Sequence, residues 1–145
     1  MPVQGADDNS YNPKSFWFYP WGESGTHKGV DIFAHAGTSV RSSTPGIVVF
    51  KGCNGRGGNT VIVLGPKWRF HHYAHLKEIT AHSFSLLKPG TKIGTVGNTG
   101  NAAGKPSHLH YSIVTLIPYV WRVDFDKQGL LKMFYLNPIR FLEQR

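Results

Sequence analysis

Short β-branched runs, cut by glycine and proline, constrain this chain more than any other feature. Val30-Asp31-Ile32-Phe33 is followed by Gly37-Thr38-Ser39-Val40, then by Pro45-Gly46 and Ile47-Val48-Val49-Phe50. A glycine-rich stretch at 52–58 precedes a second apolar run at 59–64, and Gly65-Pro66 turns the chain into 68–76. Pro89-Gly90, Gly94, Gly97 and Gly100 punctuate a further hairpin, and 108–116 reads as the last long strand. Runs of about 4–8 residues bounded by turn residues are half-buried or buried strands, not helices. The spacing predicts a mainly β fold, an antiparallel β sandwich or flattened open barrel built of hairpins. Near the end, Asn137 as N-cap and Pro138 at the first helical position predict one short helix through Leu142. Residues 122–134 have no clear period and read as an insertion or loop. The polar residues 1–15 read as a flexible arm or linker, leaving 16–145 as a single domain. Residues 16–21 form an aromatic cluster, expected as a lid on the core.

In that frame, His108-Leu109-His110 places two imidazoles on one face of a strand, because side chains alternate with period two. Leu109 then points into the core. His27 and Asp31 are four apart and share a face if that segment is extended. His and Asp ligands with one position left open are the donor set of a catalytic zinc site. Cysteine cannot supply ligands, because Cys53 is the only one in the chain. Spacing alone does not say which of His108 and His110 takes the metal.

The segment Phe70-His71-His72-Tyr73-Ala74-His75-Leu76 carries three more histidines. Alternation puts Phe70, His72, Ala74 and Leu76 on the more apolar face, so His72 is expected in the core. His71, Tyr73 and His75 take the other face, which leaves His75 free to face a cleft. Loops 52–58, 67–69 and 100–107 are expected to flank that cleft, with Trp68 as its stacking side chain.

Composition narrows the partners. The net charge of +8 would favour a polyanion, such as an acidic cell-wall polymer. The basic residues are scattered and match no nucleic-acid motif, so nucleic-acid binding is not expected. Gly55-Arg56-Gly57-Gly58 is not a phosphate loop, because the strand Val61-Ile62-Val63-Leu64 follows it where a helix would be needed. The longest apolar stretch, 111–121, is too short and too polar to span a bilayer. The first residues lack the charged-then-apolar pattern of a signal peptide, as in a cytoplasmic protein or a mature or excised domain. The hairpin at 88–94 invites comparison with lipoyl and biotinyl carrier domains, but no lysine stands at the tip of an exposed turn.

Taken in order, the motifs resemble the lysostaphin-type, or β-lytic, zinc endopeptidases that cut peptide cross-links in bacterial peptidoglycan. The matching residues are His27-x-x-x-Asp31, Gly37-Thr38-Ser39-Val40, Pro45-Gly46-Ile47-Val48, Tyr73-Ala74-His75-Leu76, Gly94-Thr95-Val96-Gly97-Asn98-Thr99-Gly100 and Ser107-His108-Leu109-His110. The resemblance covers about residues 20–115 in unbroken order. It implies one zinc ion per chain held by His27, Asp31 and His110, with His75 and His108 as catalytic histidines. It also implies a monomer of the cell envelope, periplasmic or extracellular, acting on peptidoglycan peptides. An upstream tyrosine often stabilises the oxyanion in this family, and Tyr19 is the nearest candidate here. Some relatives that have lost their zinc ligands activate other cell-wall hydrolases, which is the competing role. Zinc carboxypeptidases acting on D-amino-acid termini use the same ligand types and would cut terminal bonds instead.

Overall fold

A computed structural model describes residues 1–144. The runs predicted as strands pair into one open, mostly antiparallel sheet. Its strands are β1 (Val30–Phe33), β2 (Ser39–Arg41), β3 (Gly46–Cys53), β4 (Asn59–Gly65), β5 (Arg69–Ile79), β6 (Leu86–Leu87), β7 (Lys92–Val96), β8 (His108–Thr115) and β9 (Tyr135–Leu136). The main path runs β1-β8-β5-β4-β3-β6; β9 lies beside β8, and β2 pairs with β7. The expected helix is present as α1 (Pro138–Glu143), with the Asn137 side chain accepting a hydrogen bond from the Ile139 amide.

Alternation sets the two faces of the central strands. Val30 and Ile32, Leu109, Tyr111 and Ile113, and His71 and Tyr73 are all fully buried on the core face. In register across the strands, Asp31 faces His110, and His110 faces Ala74, on the opposite side. The expected parity of β5 is therefore reversed. His71, not His72, enters the core, because Tyr73 pairs in register with both Val61 and Tyr111 and all three are buried. An imidazole and two phenols fit inside because they satisfy one another. The Tyr111 hydroxyl lies 2.6 Å from His71 Nδ1 and 2.8 Å from Ser43 Oγ, and Ser43 also meets the Tyr73 hydroxyl at 2.9 Å. Removing a shared buried partner costs about 1–3 kcal/mol. Tyr111→Phe should thus lower unfolding stability by that amount in a denaturant titration; an unchanged midpoint would show that the network contributes nothing.

β5 also changes partner along its length. Residues 69–74 pair with β8, whereas Leu76 and Ile79 pair with β7. The switch falls at His75, whose φ of 62° breaks the alternation. Between Tyr73 and Leu76, β5 has one residue more than β4 has between Val61 and Asn59, which is a bulge. The bulge places Ala74 and His75 together between the core residues Tyr73 and Leu76.

The first fifteen residues are not a loose arm. Val3 bridges to Val40 and Tyr11 is buried; both join the core. The polar residues that suggested a linker instead close turns. Asp7 Oδ1 accepts from the Asn9 amide at 2.9 Å, and Asn12 Oδ1 accepts from the Lys14 amide at 2.9 Å. The segment predicted as an insertion at 122–134 starts at the end of one 3₁₀ turn, Val120–Arg122, and contains a second, Gly129–Met133. It braces the residues ahead of β1: Gln128 Oε1 accepts from Thr26 Oγ1 at 2.8 Å and from Lys28 Nζ at 2.9 Å. Among the described residues, no helix is long and apolar enough to cross a membrane.

Candidate metal centre and its cleft

Three elements meet at the site. His27 arrives on the segment before β1, Asp31 stands on β1 and His110 on β8, where Asp31 and His110 are directly opposite. Their ligand atoms lie within 4.8 Å of one another. His27 Nε2 is 3.1 Å from Asp31 Oδ1 and 3.3 Å from His110 Nδ1, and His110 Nδ1 is 2.8 Å from the same carboxylate oxygen. Gly29 makes this approach feasible. A Cβ there would sit 2.5 Å from the Tyr111 carbonyl oxygen and 2.9 Å from the His110 ring.

The hydrogen bonds of His27 test whether this set suits a cation. Its Nδ1 faces the carbonyl oxygen of Ser15 at 3.0 Å, and a carbonyl only accepts, so Nδ1 carries the proton. Nε2 of the neutral ring then turns a lone pair towards a carboxylate and a second imidazole. Such closeness calls for positive charge among the three atoms, either a second proton on a ring or a metal ion. The spacing of His27 to its two neighbours is near the about 3.3 Å edge of a tetrahedron with 2.0–2.1 Å metal–ligand bonds. The Ser15 carbonyl plays the part of the outer-shell acceptor that fixes a ligating imidazole. Trp21 stacks on the same ring with centroids 4.1 Å apart. Burial opposes charge on Asp31, but the hydrogen bonds and charges of His110 and His27 outweigh it and hold the carboxyl well below the usual carboxylate range.

Two more imidazoles face the same cleft. His75 Nδ1 lies 2.8 Å from the Thr99 carbonyl oxygen, and His108 Nδ1 lies 2.8 Å from that of Pro106. By the same reasoning each presents Nε2 away from the backbone. The His75 ring is 5.0 Å from His108 and 6.0 Å from His110. Burial, with the charges of His110 and His108, lowers the pKa of His75 to about 4, so it is a neutral acceptor at pH 7.

The cleft encloses about 610 Å³. Trp21 and Lys28 line one flank, and Arg56, Asn101 and Lys105 come from the 3₁₀ turn Gly55–Gly57 and the loop at 100–107. All five residues expected from the sequence line it: His27, Asp31, His75, His108 and His110. Trp68 does not. It is 59% exposed at the hairpin between β4 and β5, and the aromatic side chains at the cleft are Trp21 and Phe33. Tyr19 also lies outside the lining, 52% exposed, with Lys127 over its ring. His72 is half-buried on the site side of β5, opposite Ser112, and its pKa falls to about 4 through burial and the charge of His110.

Comparison with known proteins gives the family. Residues 25–120 match the sequence family described as Peptidase family M23. The chain is 37% identical over 122 residues to the L-Ala–D-Glu endopeptidase of Bacillus subtilis, covering 78% of this chain and 37% of that protein. It is 29% identical over 143 residues to the murein hydrolase activator NlpD of Salmonella dublin, covering 92% of this chain and 33% of that one. The catalytic domain of lysostaphin from Staphylococcus simulans superposes with a TM-score of 0.73 at 26% identity, covering 93% and 94% of the two chains. The chain thus spans about a third of the length of these curated relatives. It belongs to peptidase family M23 and has the fold of the lysostaphin catalytic domain.

Proposed function

We propose that the chain is a zinc-dependent endopeptidase that hydrolyses an internal peptide bond in the stem or cross-bridge of peptidoglycan, and that it works in the cell envelope. The observation that carries this is the meeting of His27 Nε2, Asp31 Oδ1 and His110 Nδ1 beneath two further imidazoles in one cleft. His27, Asp31 and His110 are the residues that would hold the metal. Zinc bound there would acidify a water molecule and polarise the scissile carbonyl.

The protein's own groups do the rest. His75 and His108 are each anchored through Nδ1, so their Nε2 atoms keep a fixed aim into the cleft, that of His108 3.9 Å from Asp31 Oδ2. One neutral imidazole accepts a proton from the attacking water and returns it to the leaving amine. The other, in its doubly protonated form, donates a hydrogen bond from Nε2 to the carbonyl oxygen as charge develops on it. Trp21 and the Ser15 carbonyl hold His27 in orientation, and the Gly55–Gly57 turn with the 100–107 loop forms the substrate wall.

The second reading is an activator of other hydrolases, as the name of the Salmonella relative states for that protein. The complete set of five polar residues favours catalysis, since an activator needs none of them aligned. Protein stripped with a chelator should lose hydrolysis of purified sacculi, and one equivalent of zinc should restore it. Undiminished hydrolysis after stripping would contradict the metal dependence. A zinc-loaded protein that releases no peptide but stimulates a second hydrolase would establish the activator role.

A further inference from the structure

Trp68 and the chain that leaves β8 carry an apolar surface that the metal site does not use. Trp68, Leu116, Ile117, Trp121, Phe125 and Leu130 are all exposed, Trp121 by 76% and Phe125 completely, and none of them lines the cleft. The backbone gathers them at one end of the sheet. The Leu116 amide donates to the Trp68 carbonyl at 3.1 Å, and the Tyr119 amide donates to that of Met133 at 2.8 Å. The Tyr119 ring stacks on Trp121 with centroids 5.1 Å apart, and its hydroxyl accepts from Arg69 Nη2 at 3.1 Å. Lys67 and Trp68 both hold positive φ, 62° and 57°, a conformation that bulky residues rarely take, and it leaves the indole displayed to solvent. Trp121, Phe125 and Leu130 lie beyond residues 25–120, the span that matches the family. Bare apolar regions of this extent mark sites of association with a protein or a lipid surface.

The charges around the patch decide between these. Asp124 and Asp126 are the only acids in 116–134, and Lys132 pairs with both. Lys67, Arg69 and Arg122 have no ion pair among the described residues, and the Lys127 ammonium lies over the Tyr19 ring at 5.2 Å. Burial and the charge of Arg140 lower the pKa of Arg122, so a further cation stands near it. Aromatic rings set among arginine and lysine suit the interface of a bilayer, where rings sit at the headgroup level and cations meet lipid phosphates. The apolar centre of a protein interface is instead depleted of lysine. Residues 123–128 also run as a loop between two 3₁₀ turns, with Phe125 standing clear of the surface.

We propose that Trp68, Trp121 and Phe125, together with Lys67 and Arg122, dock the domain on a membrane surface containing anionic phospholipid. The rings enter the headgroup region while the cations meet the phosphates. Gln128, at the root of the loop, bonds to Lys28 on the flank of the cleft, so docking holds the cleft beside the lipid. Docking requires neither metal nor turnover.

Vesicle flotation of the whole chain tests this, with phosphatidylcholine alone and with an about 1:1 mixture of phosphatidylcholine and phosphatidylglycerol. The protein should bind the mixture at least about tenfold more tightly than phosphatidylcholine, since each basic residue near an anionic surface adds about fivefold. Phe125→Ala removes a fully exposed ring without touching the core, and should weaken binding by about fivefold if half of that ring enters the lipid. Trp121→Ala/Phe125→Ala should weaken it by more than about tenfold. Lys67→Gln/Arg122→Gln should weaken binding to the mixture by about tenfold and leave binding to phosphatidylcholine unchanged. Leu86→Ala, an exposed apolar residue on edge strand β6, and Lys92→Gln, an exposed lysine on β7, should both bind like the wild type. Equal affinity for the two vesicles, wild-type affinity in the aromatic double variant, or an equal loss in Leu86→Ala or Lys92→Gln would overturn the proposal. Absence of vesicle binding, with self-association that Trp121→Ala abolishes, would assign the surface to a second copy of the chain and overturn it too. A protein that docks yet cleaves no sacculi would contradict the proposed activity alone.

Discussion

His75→Ala and His108→Ala should each fold, retain one metal ion per chain and lose peptidoglycan hydrolysis by about 10²–10⁴-fold, the usual contribution of a positioned acid or base. The expectation follows from their anchoring. Each Nδ1 is held by a backbone carbonyl, and neither residue is part of the triangle of close ligand atoms. Steady-state kinetics on solubilised muropeptides, with metal content measured on the same samples, separates the two properties. Loss of metal in His108→Ala, with metal kept in His110→Ala, would reverse the division of labour within His108-Leu109-His110.

The second large effect is expected at the ligands. Replacing an outer-shell partner of a metal site typically costs about 10–100-fold in affinity, so deleting a ligand should cost more than about 100-fold. Asp31→Ala and His110→Ala should therefore lose zinc in competition with a chromophoric chelator that leaves the wild type loaded. They should lose turnover in parallel. Wild-type affinity in either variant would remove that residue from the ligand set.

The candidate ligand set was legible in the sequence because each half of it lies in a short local pattern. His108-Leu109-His110 shares a strand, and a four-residue step joins His27 to Asp31. Pairing β1 against β8 then brings the halves together, and Gly29 leaves room for it. The strand runs and the capped C-terminal helix were legible for similar reasons. Hairpin spacing and an Asn-Pro start are local signals.

What the sequence hid depends on geometry made elsewhere. His75 was identified as facing a cleft, yet by simple alternation it belongs with His71 and Tyr73, which are in the core. It reaches the site only through the bulge at which β5 exchanges β8 for β7, and nothing local to 70–76 announces a positive φ there. The same misjudged parity assigned His72 to the interior. A buried imidazole looks improbable until Tyr111 and Ser43 supply its network, and those residues are distant in sequence. Trp68 drew attention as an aromatic residue in a turn, whereas Trp21 reaches the site because it stacks on His27. Val3 was overlooked because it precedes a polar stretch, in which Asp7 and Asn12 turned out to close turns.

X-ray absorption at the zinc edge, on wild-type protein loaded with one equivalent, tests the central claim most directly. Imidazole rings are counted by their outer-shell scattering, independently of activity. The expected spectrum is four-coordinate, with nitrogen and oxygen neighbours at about 2.0–2.1 Å and two imidazoles, those of His27 and His110. Three or four imidazoles would mean that His75 or His108 coordinates the metal and is unavailable to move protons, contradicting the division between ligands and catalysts.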